Sequence, residues 1–473
     1  MVDIYLYSYG IINIIYGVNC MQNLLSNSLK RLAGLLGKPL YIVGGCVRDF
    51  LISGEISNDI DLAGALETDE ILSCLKDAGF KFIADYPKTG TVVFKEKNSP
   101  LKYEFTSFRK DVYSVGGSHQ PKFTVFSDSI QEDALRRDFK CNAIYYDIIN
   151  DKIIDPLNGL CDVNNKVIDT VKAPNEVFVS DGLRLLRLAR FVGELGFKPT
   201  KQVVESAKKY ASNIKDVSGE RVYAEIEKML LADKSHSFSK PSGHYDAFKV
   251  AYETGVLGYI FPELSLGEAM PQRKDFHKYD VLEHSFRTLL YSDEKVRLAA
   301  LLHDIGKPIV YLRDGTYHLH SGEGEKIARQ RLKELHVSKK TIDEVCWLIS
   351  EHMYDLTLDC TEYEVKKFIA SNYAKIDKLL LLKEADIKAS RQDLVPETVV
   401  RWKRIIEEMK KSKTPFSLSD LKINGIDLLK VGVKGKLTGI ILNSLFDEVL
   451  ENPQKNTREY LIDRAIQLKD NLF

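Results

Sequence analysis

The pattern of apolar residues changes once along the chain, and this change limits the folds available to it. From Leu40 to about Pro156, runs rich in β-branched and aromatic residues, such as YIVGG, TVVFKE and KYEFTSF, alternate with helical ones. Beyond the loop DPLNGLCD the spacing of apolar residues is helical. Short β-rich runs indicate strands, and 3.6-residue periodicity indicates helices. We therefore predict an α+β protein, in which a mixed-sheet head is followed by all-helical domains.

Gly, Pro, Ser and Asn residues interrupt the helical part and divide it into segments. A polar break, DKSHSFSKPSGH, precedes a His-rich helical block, and a last helical segment closes the chain. The 473 residues are enough for roughly three domains. The predicted segments are a head over 25–156, a helical neck over 157–234, a body over 245–395 and a tail over 396–473.

Residues 1–24 are predicted to be an N-terminal extension. The first twenty are apolar, but they lack a basic n-region and carry Asp3, which argues against a signal peptide. The alternative is that translation starts at Met21 and the preceding residues are not native.

Composition excludes several classes of protein. Lys+Arg and Asp+Glu both number 67, so any nucleic-acid site must be a local patch. The seven cysteines form no CxxC pair, which argues against a disulfide framework and a zinc-thiolate site and favours the cytoplasm. No apolar run reaches about 18 residues, so no membrane span is predicted. The oligomeric state is left open.

The stretch YIVGGCVRDFLISGEISNDIDLAG combines paired glycines with paired carboxylates. Asp59 and Asp61 are two residues apart, which on a strand places both side chains on one face. Such oxygen donors suit Mg²⁺, which can activate an attacking hydroxyl and stabilise a leaving pyrophosphate. Gly44 and Gly45 lack a Cβ, so a triphosphate can approach the backbone, and Arg48 can bind it. The alternative for the DID motif alone is a solvated turn.

Four motifs, in order, resemble the class II tRNA nucleotidyltransferases and bacterial poly(A) polymerases. They are GGCVRD, NDIDLA, EDALRRDFKCNAIYYD and SDGLRLLRLARF, and the resemblance covers roughly Leu40 to Met229. It implies a polymerase-β-like head with helical neck, body and tail, and Mg²⁺ at Asp59 and Asp61. The nucleotide-binding residues implied in the head are Gly45, Arg48, Arg136 and Arg137. Glu104, in KYEFTSFR, is a candidate third carboxylate, with a surface or structural role as the alternative.

The predicted helix Ser180–Phe191 carries Asp181, Arg184, Arg187 and Arg190 at three-residue steps, each turning about 60° around the helix. Cytosine and adenine present an amine donor beside a ring-nitrogen acceptor, whereas uracil and guanine present the opposite pattern. A paired Asp and Arg would therefore reject U and G. The resemblance implies that Asp181 and Arg184 read the base without a template, while Arg187 and Arg190 support the nucleotide. The alternative is a solvated charged face.

The chain departs from the family pattern at two places. Where many members have Glu before the Asp, this chain has Ser180, which we interpret as the helix N-cap. Within Phe108–Phe126, members often carry an Asp and paired basic residues in a flexible loop tied to the switch from C to A addition. This chain has the segment Ser118–Pro121 there, with sequence SHQP. The resemblance therefore leaves addition of the terminal A open.

The His-rich block resembles HD-domain metal phosphohydrolases through VLEHSFRTL, LLHDIGKP and LKEADIKAS. Imidazoles and carboxylates on neighbouring helices suit a divalent transition metal such as Ni²⁺, Co²⁺ or Mn²⁺. The ligands implied are His284, His303, Asp304 and Asp386, with His320 and His352 as candidates for a second metal. The alternatives are core histidines, or a metal-binding domain that serves only as a scaffold.

Residues 401–436 hold ten Lys/Arg and four Asp/Glu, a local basic excess in a neutral chain. Lys434 and Lys436 lie beside glycines, so the backbone there can approach a phosphate. A solvated face is the alternative. The family tail binds the tRNA elbow, which favours RNA contact through shape and phosphates.

The resemblance as a whole implies a cytoplasmic CCA-adding enzyme. In such an enzyme the 3′-hydroxyl of tRNA attacks the α-phosphate of CTP or ATP, and pyrophosphate leaves. Three alternatives remain: a poly(A) or A-adding polymerase of the same family, an HD phosphohydrolase whose head only binds a nucleotide, and an RNA-binding protein with inactive sites.

Overall fold

The computed structural model describes residues 21–112, 123–272, 277–390 and 395–471. The predictions about the first twenty residues and about the segment Ser118–Pro121 lie outside these ranges. The described residues fall into two compact units that divide after Pro262, with Glu334–Val337 belonging to the first unit. None of the described helices is both long enough and apolar enough to cross a membrane.

The first unit contains the predicted mixed sheet. Its strands, with four short ones outside the main sheet, are β1 Tyr41–Val43, β2 Asp59–Gly64, β3 Phe80–Tyr86, β4 Thr91–Glu96, β5 Lys102–Ser107, β6 Arg109–Val112, β7 Phe123–Phe126, β8 Tyr145–Asp147, β9 Lys152–Ile154, β10 Val167–Ile168 and β11 Lys198–Pro199. Seven strands pair in the order β3-β4-β5-β2-β1-β8-β9. β2 and β5 run parallel, and the other neighbours in this sheet run antiparallel.

The register of β2 positions the predicted carboxylates. Ile60 and Leu62 are buried in the core, whereas Asp59 and Asp61 expose their side chains, as period-two alternation requires. The parallel pairing of β2 with β5 places Glu104 directly opposite Asp61. Side chains that face each other across a strand pair lie on the same side of the sheet. Three carboxylates therefore lie on one face of the head.

The helices of the first unit are α1 Asn27–Leu36, α2 Gly45–Ser53, α3 Thr68–Ala78, α4 Ile130–Arg136, α5 Gly159–Asn165, α6 Pro174–Ser180, α7 Leu183–Leu195, α8 Lys201–Tyr210, α9 Gly219–Leu230, α10 Gly243–Glu253 and α11 Leu257–Ile260. Helix α7 is central and packs against α9 and α10. At its crossing with α10, a Cβ on Gly193 would lie 2.4 Å from the carbonyl oxygen of Gly243. Only glycine permits so close an approach of two helix backbones.

The interpretation of Ser180 as a helix N-cap is wrong. Ser180 is the last residue of α6, where its hydroxyl donates to the carbonyl of Val177. Asp181 is extended, and Gly182 occupies the N-cap position of α7. A Cβ on Gly182 would lie 2.3 Å from the carbonyl oxygen of Asn213. This close packing of Gly182 allows the chain to change direction between α6 and α7, and the sequence alone does not show it.

All described elements of the second unit are helices, as predicted. They are α13 Val281–Tyr291, α14 Arg297–Leu302, α15 Lys307–Asp314, α16 His320–Glu334, α17 Lys339–Glu351, α18 Glu362–Ser371, α19 Tyr373–Ser390, α20 Glu397–Lys411, α21 Gly425–Lys430, α22 Lys436–Glu451 and α23 Arg458–Asp470, while α12 Pro262–Ser265 spans the division. Helix α19 contacts α13, α14 and α17. The residues of α19 that face these helices are buried.

Candidate active site

A cleft of about 720 Å³ in the first unit gathers most of the predicted site residues. Its lining includes both carboxylates of the DID motif, the paired glycines and every predicted nucleotide-binding residue: Gly44, Gly45, Arg48, Asp59, Asp61, Arg136, Arg137, Asp181, Arg184, Arg187 and Arg190. Glu104 lines an adjoining depression together with Asp61. Residues from five separate segments thus meet at one surface, although their individual roles stay predictions.

The three carboxylates repel one another. Although its side chain is exposed to the cleft, desolvation by the surrounding protein raises the pKa of Asp61, the charge of Asp59 adds to this effect, and Arg137 and Arg187 oppose it. Burial also raises the pKa of Glu104, and the charge of Asp61 contributes. A divalent cation between these groups would remove the repulsion, and Mg²⁺ prefers oxygen donors of this kind. The donor set therefore fits Mg²⁺.

The paired glycines bring a helix N-terminus to these carboxylates. Gly44 has φ 82° and forms the N-cap position of α2, a nine-residue helix. A Cβ on Gly44 would lie 3.3 Å from Oδ2 of Asp61, in a conformation that L side chains rarely adopt. The first N–H groups of a helix lack intrahelical partners and favour anions. The start of α2 thus offers donors to a phosphate beside the carboxylates.

Carboxylates and amides of the protein hold the arginines of the head in place. Arg48 is 3% exposed and donates from Nε to Asp49 at 2.8 Å and from Nη1 to Asn142 at 2.5 Å. The buried Asp133 accepts from Nε of Arg136 at 2.6 Å and from Nη2 of Arg137 at 3.0 Å. These cations are oriented before any ligand binds, which lowers the cost of ordering them.

The neck arginines are held in the same way. Nη2 of Arg184 donates to the carbonyl of Arg136 at 2.6 Å, and its Nη1 donates to the hydroxyl of Ser180 at 3.0 Å. Arg187 donates from Nε to Asp138 at 2.7 Å. Arg190 donates to a carboxylate on each side. Because Arg184 and Arg190 are each 8% exposed, the solvated-face alternative is wrong for them.

The carboxylate partners of these arginines were not singled out by the sequence. Glu225 and Glu194 pair with Arg190 at 2.6 and 2.8 Å. Although burial opposes its ionisation, Arg187 and Arg184 hold the pKa of Asp138 below its usual range. Asp138 follows the two arginines in LRRDF, so its position in the motif was the available signal. Nothing in the sequence linked Glu225 to Arg190, which lies 35 residues earlier.

Phe191 is a second feature that the sequence did not single out. The guanidinium groups of Arg48, Arg187 and Arg190 lie over its ring, at 5.1, 5.3 and 4.2 Å from the centroid. Contacts of this geometry are favourable cation–π interactions. One aromatic ring on α7 thereby orients arginines that the sequence separates by more than a hundred residues.

The second unit brings together all six predicted HD residues. His284, on α13, lies with Nε2 at 3.2 Å from Nε2 of His303, which directly follows α14. The carboxylate of Asp386, on α19, is 3.0 Å from Nε2 of His284. Asp304, His320 and His352 form an adjoining group of three possible ligands. Every one of the six residues is buried.

The geometry of the second group suits a cation. His320 donates from Nδ1 to the carbonyl of Tyr317 at 2.8 Å, and His352 donates from Nδ1 to that of Ile349 at 2.7 Å. In the neutral rings the Nε2 atoms are then acceptors, yet they face each other at 3.3 Å. Burial lowers the pKa of His352 to about 4, which keeps its ring neutral. Lone pairs at this distance repel one another unless a cation lies between them.

Asp304 connects the two groups. Its Oδ2 lies 3.1 Å from Nε2 of His303, and its Oδ1 lies 3.3 Å from Nε2 of His320. Neither oxygen has a hydrogen-bond partner of good geometry, although Nζ of Lys307 is 2.7 Å from Oδ2. A carboxylate placed this way can bridge two ions. The six residues therefore form two adjoining groups that fit two divalent metals.

The tail lysines lie outside both of these sites. Lys434 and Lys436 are exposed on either side of Gly435, which has φ 62° and precedes α22. The loop that carries Lys434 is short, because α21 ends at Lys430 and α22 begins at Lys436. The backbone N–H groups at the start of α22 stand beside both lysines.

Comparisons with known proteins follow the same division of the chain. Residues 40–169 match the poly A polymerase head domain, residues 196–266 match a probable RNA and SrmB-binding site of polymerase A, and residues 281–388 match the HD domain. The CCA-adding enzyme of Bacillus pumilus is 30% identical over 431 residues, which cover 89% of this chain and 92% of that protein.

The chain belongs to the CCA-adding enzyme family. It is therefore a nucleotidyltransferase, and this family generally uses a divalent metal such as Mg²⁺. Other relatives match over less of their length: the CCA-adding enzyme of Anoxybacillus flavithermus is 34% identical over 236 residues, 48% of this chain and 53% of that protein. The resemblance inferred from the motifs is confirmed.

The fold of a CCA-adding enzyme is confirmed as well. The crystal structure of the Bacillus stearothermophilus CCA-adding enzyme in complex with CTP aligns with a TM-score of 0.65 at 23% identity, covering 94% of this chain and all of that one. An identity this low supports the fold alone. The predicted mixed-sheet head followed by helical domains is therefore correct.

Proposed function

We propose that the protein adds CMP and AMP from CTP and ATP to the 3′ end of tRNA and releases pyrophosphate. The observation that carries this proposal is the cleft, which combines paired carboxylates, a helix N-terminus and an Asp–Arg pair on one surface. Membership of the CCA-adding enzyme family supports the same reaction. The free cysteines and a tRNA substrate both favour the cytoplasm as its location.

Asp59 and Asp61 would hold Mg²⁺, with Glu104 as a further carboxylate beside them. When bound, Mg²⁺ lowers the pKa of the attacking hydroxyl and neutralises charge on the phosphates. The chain itself supplies the position: β2 presents both aspartates on one face, and β5 places Glu104 beside Asp61. These residues would fix where the 3′-hydroxyl and the α-phosphate meet.

The triphosphate would lie along the start of α2. Gly45 permits close approach of the phosphates to the helix N-terminus, and Arg48 provides a buried guanidinium one turn later. Arg136 and Arg137, oriented by Asp133, face the same space from α4 and the residue after it. Oriented donors of this kind stabilise the charge that develops on a leaving pyrophosphate.

Asp181 and Arg184 would choose the base. A carboxylate oxygen of Asp181 accepts from the exocyclic amine of cytosine or adenine, and Arg184 donates to the neighbouring ring nitrogen. Both side chains are held: Oδ1 of Asp181 accepts from the backbone of Leu183 at 3.0 Å, and Arg184 is bonded to Ser180 and Arg136. A rigid pair leaves a buried group unpaired when U or G enters.

The tail would contact the tRNA backbone through Lys434 and Lys436. Both side chains are exposed at the N-terminus of the 16-residue helix α22. Two cations and free N–H groups together suit a phosphate and carry no sequence information. This agrees with a substrate that is recognised by shape.

One experiment separates full CCA addition from its rivals within the family. A tRNA lacking its last three nucleotides is incubated with Mg²⁺ and each labelled nucleotide alone, then with CTP and ATP together, and a tRNA that ends in CC is incubated with ATP in parallel. We expect two additions with CTP, none with ATP alone, and three with both. Addition of A only to a tRNA that already ends in CC would indicate an A-adding enzyme, long A tails would indicate a poly(A) polymerase, and no addition would overturn the proposal.

A second candidate activity is phosphate-ester hydrolysis at the HD cluster. Two observations favour it: the imidazole acceptors of His320 and His352 face each other, and Asp304 connects the two groups of possible ligands. This set of groups fits Ni²⁺, Co²⁺ or Mn²⁺. Such metals, when bound, supply a hydroxide nucleophile at neutral pH. Lys307, beside Asp304, adds a cation that can contact a phosphate.

A further inference from the structure

His236 belongs to the cleft, although it lies in the polar break far from every recognised motif. Its ring lines the cleft together with Arg48 and Arg190. Nδ1 is 3.6 Å from Oδ2 of Asp49, and the ring stacks on Phe238 at 4.8 Å with an interplanar angle of 2°. This side chain is therefore fixed from two directions and also borders the space that the nucleotide would occupy.

The segment that carries His236 is anchored along its whole length. Ser235 donates to the side chain of Glu194 at 3.3 Å, and Ser239 donates to the carbonyl of the same residue at 2.7 Å. Ser237 donates to Glu55 at 2.8 Å. These bonds join the segment to the end of α7 and to the residues after α2. His236 is consequently a positioned group and not part of an adaptable loop.

The position of His236 is next to the start of α2. Asp49, its carboxylate partner, accepts from Arg48 and lies on the same helix as Gly45. Oδ2 of Asp49 is 3.7 Å from the place where a Cβ of Gly45 would be. The ring therefore stands at the end of the cleft where the triphosphate is proposed to lie.

We propose that His236 is a residue of the triphosphate site, where its Nε2 donates to a β- or γ-phosphate oxygen of CTP or ATP. The inference rests on the proposed nucleotidyl transfer. Nδ1 lies 3.6 Å from the carboxylate of Asp49. Both ring nitrogens are donors once the imidazole is protonated, so Nε2 can then donate to a phosphate oxygen. Binding of the nucleotide is thereby coupled to protonation of the enzyme.

The charges around His236 agree with this coupling. Burial lowers the pKa of His236, with Asp49 and Glu194 opposing this effect and Arg48 and Arg190 adding to it. These groups come from α2 and α7, the elements that hold the segment. The ring is then neutral in the free protein near pH 7. A triphosphate brings several negative charges to the same place and raises the pKa of the imidazole, so that it binds a proton.

The first test compares His236→Gln with His336→Gln. His336 is a matched control, because it also lies beside a carboxylate, Glu220 at 3.6 Å, but is exposed and does not line the cleft. Loss of a charge-assisted hydrogen bond should raise KM for both CTP and ATP about tenfold in His236→Gln. The inhibition constant of pyrophosphate should rise equally, while preference among the four nucleotides stays unchanged. His336→Gln should resemble the wild type in each measurement.

The second test measures proton uptake when CTP binds, by calorimetry in buffers of different ionisation enthalpy. We expect wild type to take up more protons near pH 7.5 than His236→Gln, since both bind the same titrating nucleotide. Equal uptake, an unchanged KM for nucleotides, or an effect confined to the KM of tRNA would overturn the phosphate role. Absence of any addition by wild type would instead overturn the proposed function.

Discussion

The cleft of the first unit and the HD cluster of the second arrange their charged groups in opposite ways. In the cleft, carboxylates such as Asp59 are exposed, while the arginines are already paired with the buried carboxylates Asp133, Asp138 or Glu225. In the cluster, the carboxylates and imidazoles are all buried, and acceptors such as the Nε2 atoms of His320 and His352 face each other. The first arrangement suits a large anion, and the second suits small cations.

This contrast indicates where each metal would come from. An open carboxylate pair binds Mg²⁺ weakly by itself, so the phosphates of the nucleotide would complete the coordination of the ion. A buried set of nitrogen and oxygen ligands can hold a transition metal without any substrate. The cleft should therefore exchange its metal with every turnover, and the cluster should retain its own.

The largest expected effect is on the cleft carboxylates. Asp59→Ala or Asp61→Ala should reduce nucleotide addition more than a hundredfold, because the removed oxygen is at the reacting centre. The melting temperature should not fall, since both side chains are exposed on β2. Asp77→Ala, at an exposed carboxylate outside the cleft, is the control. Addition above a hundredth of the wild-type rate would remove these residues from catalysis.

The next largest effect is expected in the HD cluster, which, unlike the cleft, should keep its metal bound without substrate. His303→Ala should lose the transition metal that wild type carries through gel filtration, and chelation should lower the melting temperature of wild type more than that of the variant. Hydrolysis of phosphomonoesters or cyclic phosphodiesters with Ni²⁺, Co²⁺ or Mn²⁺ should stop, while nucleotide addition continues. Metal content and both activities are measured on the same preparation.

Two outcomes would change the interpretation of the cluster. Retained metal without hydrolysis under any of the three ions would favour a scaffold role for the second unit. Equal metal content in wild type and His303→Ala would show that the six residues do not form the metal site.

A smaller effect is expected on base choice. Two mismatched contacts, at about 1–3 kcal/mol for each unpaired buried group, imply roughly 30-fold or greater discrimination against U and G. Asp181→Asn should relax this discrimination, because the amide still accepts from Leu183 yet no longer presents only acceptors. Arg184→Ala should also relax this discrimination, and it should weaken nucleotide binding as well. Measurement of kcat/KM for all four nucleotides checks this, and unchanged ratios would contradict base reading by the pair.

The smallest effect should come from the tail, which lies outside both regions compared. Replacement of Lys434 and Lys436 by Ala should raise KM for tRNA several-fold and reduce the salt dependence of binding by the loss of about two phosphate contacts. KM for CTP should not change, since neither lysine lines the cleft. Lys340→Ala with Lys375→Ala offers a matched loss of two cations elsewhere in the second unit. Equal effects of the two double variants would leave the tail without a specific role.

Local spacing was sufficient for much of the candidate site. The alternation that exposes Asp59 and Asp61 on β2 follows from the period of a strand, and His284 and Asp386 lie on helices as their surroundings predicted. The boundary between sheet and helices was also visible, because each pattern has its own period. Features that depend on a neighbouring segment were not visible. The prediction that Ser180 is a helix N-cap was wrong, because the packing of Gly182 against Asn213 is a long-range contact.

The sequence by itself determined that a mixed-sheet head precedes helical regions, and it determined the family and the side chains available for chemistry. All of these follow from residue types and their spacing along one segment. Only the tertiary structure decided which groups meet. Parallel pairing of β2 with β5 places Glu104 beside Asp61, and folding of the neck pairs Arg190 with Glu225. The segment of the polar break places His236 close to Asp49. Each of these contacts joins residues more than thirty positions apart, and their free energy depends on burial and distance, quantities that a linear pattern does not contain.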